Sequence, residues 1–519
     1  MRNLIRINDL YRMTYHWKGS LKGRCSAVLA LFLTCSLSKL SGASELDAYG
    51  GFVEIKGEKT GFFHTEKIDG RWWLVTPEGN AFWGVGMSHP VTGWTEGAVT
   101  FVYDGDQELW FKDTIKRMKD LGYNCVWSGP YCPERARSGY IDKRLAERVF
   151  KDAEIPYGYP VALIKHAVEL EPGEKRPDVF CDEYREFVRG EVEQHVVPNK
   201  DDPWIMGYYY GFGSFDRDWL WVNDHLERKG SPGRERLMSV LEERYKGNIK
   251  SLNKVYGTSF KSFQVLKADG MIEYPNWVTL SKAGRAKIPD SPGAQNIFDD
   301  AAALLGEIVE KVHVLGFEEI RKHDKNHMIL GCYVKEATYT EEIWHRIAPY
   351  IDVLAPQHVS EVFPISPMVE VLDKPAIISD QPYGNVYNDH TLVQRGAHGP
   401  VPDHVDRHLL YDLLTERISV DPDLTGANMC ACLFDQSHWE KAYERGQPGF
   451  WTIDGVPRSH LIRTVQNSNM LLFHRVQKRH DEETIRNLDE KFHHILGLYR
   501  EVMDHRKDFL KKVPAVSYP

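Results

Sequence analysis

Short apolar runs alternate with stretches of helical periodicity along most of the chain beyond residue 80. The runs are continuous rather than alternating, which is typical of strands buried on both faces. They predict strands at 81–87, 123–128, 155–162, 204–210, 328–334, 351–356, 374–379 and 428–434. The periodic stretches predict helices at 108–121, 142–152, 182–197, 296–323, 341–349, 404–418 and 457–473. Eight strands that alternate with helices favour the α/β class and, within it, a (β/α)8 TIM barrel.

The barrel is predicted to be one of four segments of the chain. The turn-rich residues 45–80 are expected to form a small N-terminal β segment, and the charged residues 476–519 a final helix at 482–505 with a tail. The gap between the fourth and fifth strands is too long for one helix, so 216–295 is expected to hold a helical insertion. Residues 81–475 are left for the barrel itself.

The first 44 residues are predicted to be a signal peptide. Six Lys and Arg residues precede an apolar run at 27–33, and small residues follow it at 41–44. The run is too short to span a bilayer, and no other segment of the sequence is long and apolar enough to do so. We therefore expect an exported protein without a membrane span.

Composition narrows the function only modestly. The chain has 519 residues, of which 42% are hydrophobic, and this excludes a wholly disordered protein. A net charge of −9 argues against nucleic-acid binding through a basic face. The 14 Trp residues would suit the flat apolar faces of sugars, although core packing accounts for them equally well. Cys125 and Cys332 fall inside apolar runs and are expected to be buried free thiols.

Polar and aromatic residues follow the predicted strands, where the active site of a TIM barrel lies. These residues are rich in carboxylates and aromatic rings, and they include no phosphate-binding glycine loop, nucleophile elbow or HExxH zinc motif. We therefore expect neither a cofactor nor a metal. The candidate site residues are His89, Trp127, Tyr209, Asp216, Trp219, Glu336, Gln357, His358, Asp380, Asp435 and Trp439.

Four segments of the sequence resemble β-agarases and related glycoside hydrolases. They are residues 69–87, 202–208, 252–260 and 374–384, and they occur in the order expected for that family. The resemblance implies hydrolysis of a polysaccharide, with a galactan of the agar or carrageenan type as the first expectation. It also implies a retaining mechanism, with an Asn-Glu acid/base at the end of strand four and a Glu nucleophile at the end of strand seven.

The sequence departs from that pattern at both catalytic positions. Phe212 and Gly213 stand where Asn-Glu is expected, and Asp380 replaces the nucleophilic Glu. One interpretation keeps the chemistry: Asp380 acts as nucleophile or base, and the acid is Asp216, Glu336 or, third in order, Asp218. The shorter Asp would widen the gap between the carboxyl groups and favour inversion. The alternatives are a sugar-binding pseudoenzyme and a misplaced fourth strand.

The other candidates are expected to contact the substrate, each with a plainer alternative. For the aromatic residues Trp127, Tyr209, Trp219 and Trp439 that alternative is core packing. For the polar residues it is an ordinary hydrogen bond. A third class of function, a metal-dependent hydrolase, would require at least three ligands to converge. The residues to test for that role are His89, His358 and Asp435.

Overall fold

The computed structural model describes most of the chain beyond the predicted signal peptide. The chain divides after Glu45, and the fold is that of residues 46–519. The described residues are 45–88, 90–91, 95–129, 141–164, 174–215, 218–278, 288–334, 340–357, 365–382, 404–430, 433–434, 449–452 and 454–512. The predicted signal peptide at 1–44 therefore lies outside them.

A small antiparallel sheet precedes the rest of the fold, as the turn-rich sequence predicts. Its strands are β1 (Phe52–Lys56), β2 (His64–Ile68), β3 (Arg71–Val75) and β4 (Asn80–Phe82), in the order β1-β4-β3-β2. Asp69 and Gly70 join β2 to β3 with positive φ angles of 50° and 80°. A two-residue Asp-Gly hairpin turn requires this left-handed backbone. The sheet continues through Phe82, two residues beyond the predicted limit at 80.

Parallel strands form the centre of the fold. They are β5 (Gly84–Ser88), β6 (Tyr157–Pro160), β7 (Ile205–Ser214), β8 (Met328–Val334), β9 (Ala376–Pro382) and β10 (Leu424–Cys430). They make two three-stranded parallel sheets, ordered β5-β10-β9 and β6-β7-β8. Single parallel bridges extend both sheets; they are Gly86–Cys125, Val126–Tyr157, Val334–Pro356, Leu354–Ala376 and Gln357–Asp380. With the helices, these strands make a mixed α/β fold.

The helices lie between the strands, at or near the positions that the periodicity predicts. They are α1 (Glu96–Tyr103), α2 (Gln107–Asp120), α3 (Lys143–Asp152), α4 (Asp182–His195), α5 (Asp218–Leu226), α6 (Pro232–Arg244), α7 (Ile249–Tyr256), α8 (Phe263–Asp269), α9 (Ala294–His323), α10 (Glu341–Ile347), α11 (Ser366–Leu372), α12 (His404–Val420), α13 (Ser459–Val476) and α14 (Glu482–Lys512). The short helices α1 and α11 were not predicted. None of the described helices is both long and apolar enough to cross a bilayer.

The predicted strands at 123–128 and 351–356 form only single bridges, and among the strands that do form the last differs most from its prediction. We predicted 428–434, whereas β10 is Leu424–Cys430. The prediction followed the apolar run and passed over Thr425, Gly426 and Ala427, which are small and not strongly apolar. The structure explains the small side chain: a Cβ on Gly426 would come within 2.6 Å of the Trp127 ring. Asp435 therefore follows the strand by five residues instead of one.

The predicted helical insertion consists of the short helices α5 to α8. A buried arginine, Arg234 of α6, donates to the carbonyl oxygens of Leu266 (3.0 Å) and Gly270 (2.6 Å) at the end of α8. The carboxylate of Asp300 on α9 accepts from the hydroxyl groups of Tyr245 (2.7 Å) and Tyr256 (2.8 Å). The Arg234 bonds connect two helices within the insertion, and the Asp300 bonds join the insertion to the long helix α9.

Buried apolar side chains form two clusters, and residues along a strand alternate between them. The inner cluster contains Phe63, Leu74, Phe82, Cys125, Trp127, Met206, Tyr209, Met328, Leu330, Tyr333, Val353, Ala355 and Ile377. The outer cluster takes the neighbouring strand residues, such as Val126, Tyr208 and Ile378, together with the helices. Cys125 and Cys332 are buried free thiols, as predicted. The N-terminal sheet contributes Phe63, Leu74 and Phe82 to the inner cluster.

A buried polar network ties β7 to the residues that precede β8. The Asp324 carboxylate accepts from the Tyr208 hydroxyl (2.8 Å) and from Nδ1 of His327 (2.6 Å). It also accepts from the backbone N–H of Asn326 (2.8 Å). Burial alone would raise the pKa of Asp324, but the hydrogen bonds and the charge of His327 hold that pKa well below its usual range. The ionised carboxylate is therefore the form that the fold stabilises.

We expect Asp324→Asn to lower the free energy of unfolding at pH 7 by about 2 kcal/mol, because it weakens hydrogen bonds to a buried charge. The pKa of Asp324 is lower in the folded than in the unfolded chain, so this stabilisation is present above pH ~4 and is lost as pH falls further. Urea unfolding measures this effect. The difference in the free energy of unfolding between wild type and variant should be smaller at low pH than at pH 7.

The control is Asp269→Asn, which removes an exposed carboxylate 3.5 Å from Lys229 and should change stability by less than about 0.5 kcal/mol. Equal effects of the two substitutions at pH 7 would contradict the role assigned to Asp324.

Candidate active site

The candidate site begins with an irregularity at the carboxyl end of β9. Ala427 of β10 pairs with Ile378, but Met429 pairs with Gln381, so β9 has one extra residue between these pairs. This extra residue is a β-bulge, a feature that turns side chains away from strict alternation. Asp380 lies in the bulge and is only 6% exposed. The side chain of Asp380 is therefore not restricted to the outer face, where the side chains of Ala376 and Ile378 lie.

The backbone of Ser379, immediately before Asp380, is held from both sides. Its N–H donates to Pro356 O (2.9 Å) and its hydroxyl to Ala355 O (2.8 Å). Its carbonyl oxygen accepts from Nδ2 of Asn428 on β10 (2.9 Å). All three bonds are buried, so the peptide that leads into Asp380 has a fixed orientation.

Two buried amides flank the bulge. Gln357 forms a bridge with Asp380 on one side, and Asn428 lies on β10 at the other. Alternation places Gln357 on the inner face with Val353 and Ala355. Within the described part of the chain, Nε2 of Gln357 and Oδ1 of Asn428 have no hydrogen-bond partner. One is a donor and the other an acceptor, the combination that a sugar hydroxyl can satisfy.

Two stacked tyrosines of the inner cluster, Tyr209 and Tyr333, form an aromatic layer next to these amides. The rings of Tyr209 and Tyr333 stack with centroids 4.6 Å apart and planes 10° apart. The Tyr209 hydroxyl donates to Ser128 O (2.8 Å), and the Tyr333 hydroxyl donates to Trp127 O (2.9 Å). Both tyrosines thus reach across the interior to the segment after Cys125.

Trp127 completes this layer because glycines leave room for its indole. A Cβ on Gly84, Gly86 or Gly426 would lie only 2.6–2.8 Å from an atom of the Trp127 ring. The indole Nε1 donates to Gly84 O (3.2 Å). The ring is fully buried and in contact with two neighbouring strands, β5 and β10.

Two of the predicted substrate contacts are buried side chains in the structure. Trp127 and Tyr209 are both buried inside the protein, with exposures of 0% and 1%, so neither ring offers a face on which a sugar could stack. Their role is packing, the alternative that the sequence left open. Trp219, in α5, is partly buried and packs against the outer cluster. Gln357 is beside Asp380, as the strand order predicts.

The remaining predicted site residues lie outside the described part of the chain; they are His89, Asp216, Glu336, His358, Asp435 and Trp439. The backbone of Asp218 begins α5, and its side chain is also outside the description. Within the described residues there is no cluster of three or more His, Cys, Asp or Glu side chains that could hold a metal.

The fourth predicted strand is where the sequence places it, but it is longer. It was predicted at 204–210, and β7 continues to Ser214, with Phe212 paired to Tyr333 of β8. Phe212 and Gly213 thus form the end of the strand, where the family resemblance implies Asn-Glu. β7 thus covers the residues at which the resemblance implies Asn-Glu.

A concavity of about 500 Å³ lies elsewhere, near the amino-terminal ends of β6 and β7. Its lining includes Lys151, Asp202 and Trp204. The carboxylate of Asp202 already accepts from the Tyr157 hydroxyl (3.1 Å) and from the backbone N–H of Trp204 (3.0 Å). We therefore assign the candidate active site to the carboxyl ends of the strands, around Asp380.

The fold resembles those of solved structures that include two agarases. Similarity to the agarase AgWH50C has a TM-score of 0.60 at 17% identity, and covers 89% of this chain and 73% of that one. An exo-β-agarase gives a TM-score of 0.60 at 16% identity, covering 88% and 72%. PfGH50B gives a TM-score of 0.61 at 18% identity, covering 89% and 74%.

A curated relative is similar in sequence as well. The chain is 24% identical over 524 residues to β-agarase B of Vibrio sp. (strain JT0107), a match that covers 84% of this chain and 50% of the relative. The chain therefore spans about half the length of that relative. No protein-family model matches the sequence.

The packing role of Tyr209 generates a prediction. Tyr209→Phe removes the donor to Ser128 O and should lower the free energy of unfolding by about 1 kcal/mol, since a buried carbonyl loses its partner. The KM for any carbohydrate substrate should stay unchanged, because the ring is buried. Thermal unfolding and steady-state kinetics measure the two effects. The control is Tyr350→Phe, a half-buried ring that packs on Phe317; a raised KM in Tyr209→Phe alone would restore Tyr209 as a sugar contact.

Proposed function

We propose that this chain is a glycoside hydrolase that cleaves an agar-type galactan, with Asp380 as its nucleophile or base. The observation on which this proposal rests is the position of Asp380. It is a buried carboxylate in a bulge at the carboxyl end of a parallel strand, bordered by two amides with unpartnered atoms. The similarity to β-agarase B and to the agarase folds supports the choice of substrate.

We also infer that the parallel strands close into a (β/α)8 barrel. Taken in chain order, the strand pairs and single bridges connect each strand to the next, and β10 returns to β5. In such a barrel the carboxyl ends of all strands converge on one opening, and catalytic groups come from several of them. The bulge would then direct the Asp380 carboxylate into that opening.

The proposed reaction is the addition of water across a glycosidic bond. A carboxylic acid protonates the leaving oxygen as the bond to the anomeric carbon breaks. Asp380 either attacks that carbon, giving a glycosyl-enzyme that a water activated by the same acid/base group then hydrolyses, or takes a proton from a water that attacks the carbon directly. We propose Asp216 or Glu336 as the acid, since both follow strands whose carboxyl ends border the same opening. A displaced acid fits the occupation of its usual place by Phe212 and Gly213.

We expect wild-type protein to release new reducing ends from one or more members of a panel of agar and carrageenan galactans. Asp380→Asn keeps the shape of the side chain and removes its charge, so it should lower kcat by about a hundredfold to ten-thousandfold. A reducing-end assay at matched protein concentration measures both.

The matched control is Asp373→Asn, an exposed aspartate before the same strand with a φ of 49°, a conformation that Asn also adopts. It should be as active as wild type. Equal activity in Asp380→Asn would contradict the catalytic assignment, and substrate binding without release by wild type would favour the pseudoenzyme. NMR of the first product then shows whether the anomeric configuration is retained, as expected for a nucleophile, or inverted, as expected for a base.

We further propose that residues 1–44 direct export and are removed. The basic residues, apolar run and small residues in that order support this. N-terminal sequencing of protein recovered outside the cytoplasm of an expressing bacterium should then find a mature chain that begins near Glu45. A full-length chain confined to the cytoplasm would contradict export.

A further inference from the structure

We propose that Asn428 of β10 is a positioning residue for Asp380, acting through the Ser379 carbonyl. This deepens the proposed function, on which its catalytic part rests. The juxtaposition is direct: Asn428 Nδ2 donates to Ser379 O at 2.9 Å, and that carbonyl belongs to the peptide bond leading into Asp380. Asn428 is fully buried. It was not a candidate from the sequence, because the last strand was predicted to begin with it.

The orientation of the Asn428 amide is fixed by its partner. A carbonyl oxygen only accepts hydrogen bonds, so the group facing Ser379 must be the NH2 and not the oxygen. Its Oδ1 then points elsewhere and has no partner within the described residues. A buried amide with an unpartnered acceptor is costly in a region built only for packing. Its retention beside the bulge suits a role in the site.

The bulge explains why the Ser379–Asp380 peptide needs a side-chain hydrogen bond from β10. Beyond Ile378 the pairing of β9 with β10 slips by one residue, so regular backbone pairing holds the Ser379–Asp380 peptide only on the side of Pro356 and Gln357. Ser379 is anchored toward Ala355 and Pro356 by its hydroxyl and N–H. Asn428 provides the anchor on the opposite side. With both in place, the peptide cannot rotate, and the Asp380 side chain keeps one direction.

The same pair of strands offers a matched control. Near the amino-terminal end of β10, Thr425 Oγ1 donates to Ala376 O of β9 at 3.3 Å. Thr425 is also fully buried. Thr425→Val therefore removes a side-chain bond between the same two strands, away from Asp380 and at the other register irregularity of the pair, between Leu424 and Gly426. A purely structural role of Asn428 would make the two sites equivalent.

The test compares Asn428→Leu, which keeps the branching of the side chain and removes the donor, with Asn428→Ser, which is too short to reach the carbonyl. Crystal structures should show the Ser379–Asp380 peptide turned from its wild-type plane in both. On the galactan that the wild type cleaves, kcat should fall by about tenfold to a hundredfold, because the reacting carboxylate is misplaced. KM should change little. Thr425→Val should keep the wild-type kcat, KM and peptide plane.

Two results would overturn the proposal. One is an unchanged Ser379–Asp380 peptide in the Asn428 variants, and the other is a kcat equal to that of Thr425→Val. Failure of the proposed function gives a different result, since Asp380→Asn would then match wild type on every galactan. In that case the peptide plane in the crystal structures alone decides whether Asn428 positions Asp380.

Discussion

The close contact between one indole and three glycines is the constraint on which the interior depends. Gly84, Gly86 and Gly426 have no side chain where the Trp127 ring lies, and any Cβ there would come within 2.8 Å of it. The ring can therefore lie across β5 and β10 and fill the space that side chains from those strands would take. Such dense packing tolerates little change in volume. It also sets the level at which the apolar interior ends.

Toward the carboxyl ends of the strands, the residues of the inner face change from apolar to polar. Tyr209 and Tyr333 stack on each other, and their hydroxyl groups donate to backbone carbonyls. Gln357, Ser379 and Asn428 follow on neighbouring strands. A polar group buried over an apolar layer responds strongly to its few partners, because little water is present to compensate.

The sequence predicted those elements whose signal is local. The apolar run at 328–334 coincides with β8, and the helix predicted at 182–197 is close to α4. The last strand was displaced because its inner positions are small, and only the ring of Trp127, about 300 residues earlier in the chain, explains why. Trp127 and Tyr209 were predicted as sugar contacts because the burial of a side chain depends on neighbouring strands and not only on its own. Asn428 was missed because it bonds to a backbone carbonyl in a bulge, and a pattern of side chains along the sequence does not indicate such a partner.

A crystal structure of Asp380→Asn with a bound agaro-oligosaccharide tests the central claim most directly. We predict that a sugar ring lies over the aromatic layer, with the amide of residue 380 facing its anomeric carbon and Gln357 bonded to a hydroxyl. A carboxyl group from another strand should lie across the ring within about 10 Å. A sugar bound only in the concavity near Trp204, or a residue 380 side chain turned into the outer cluster, would contradict the account.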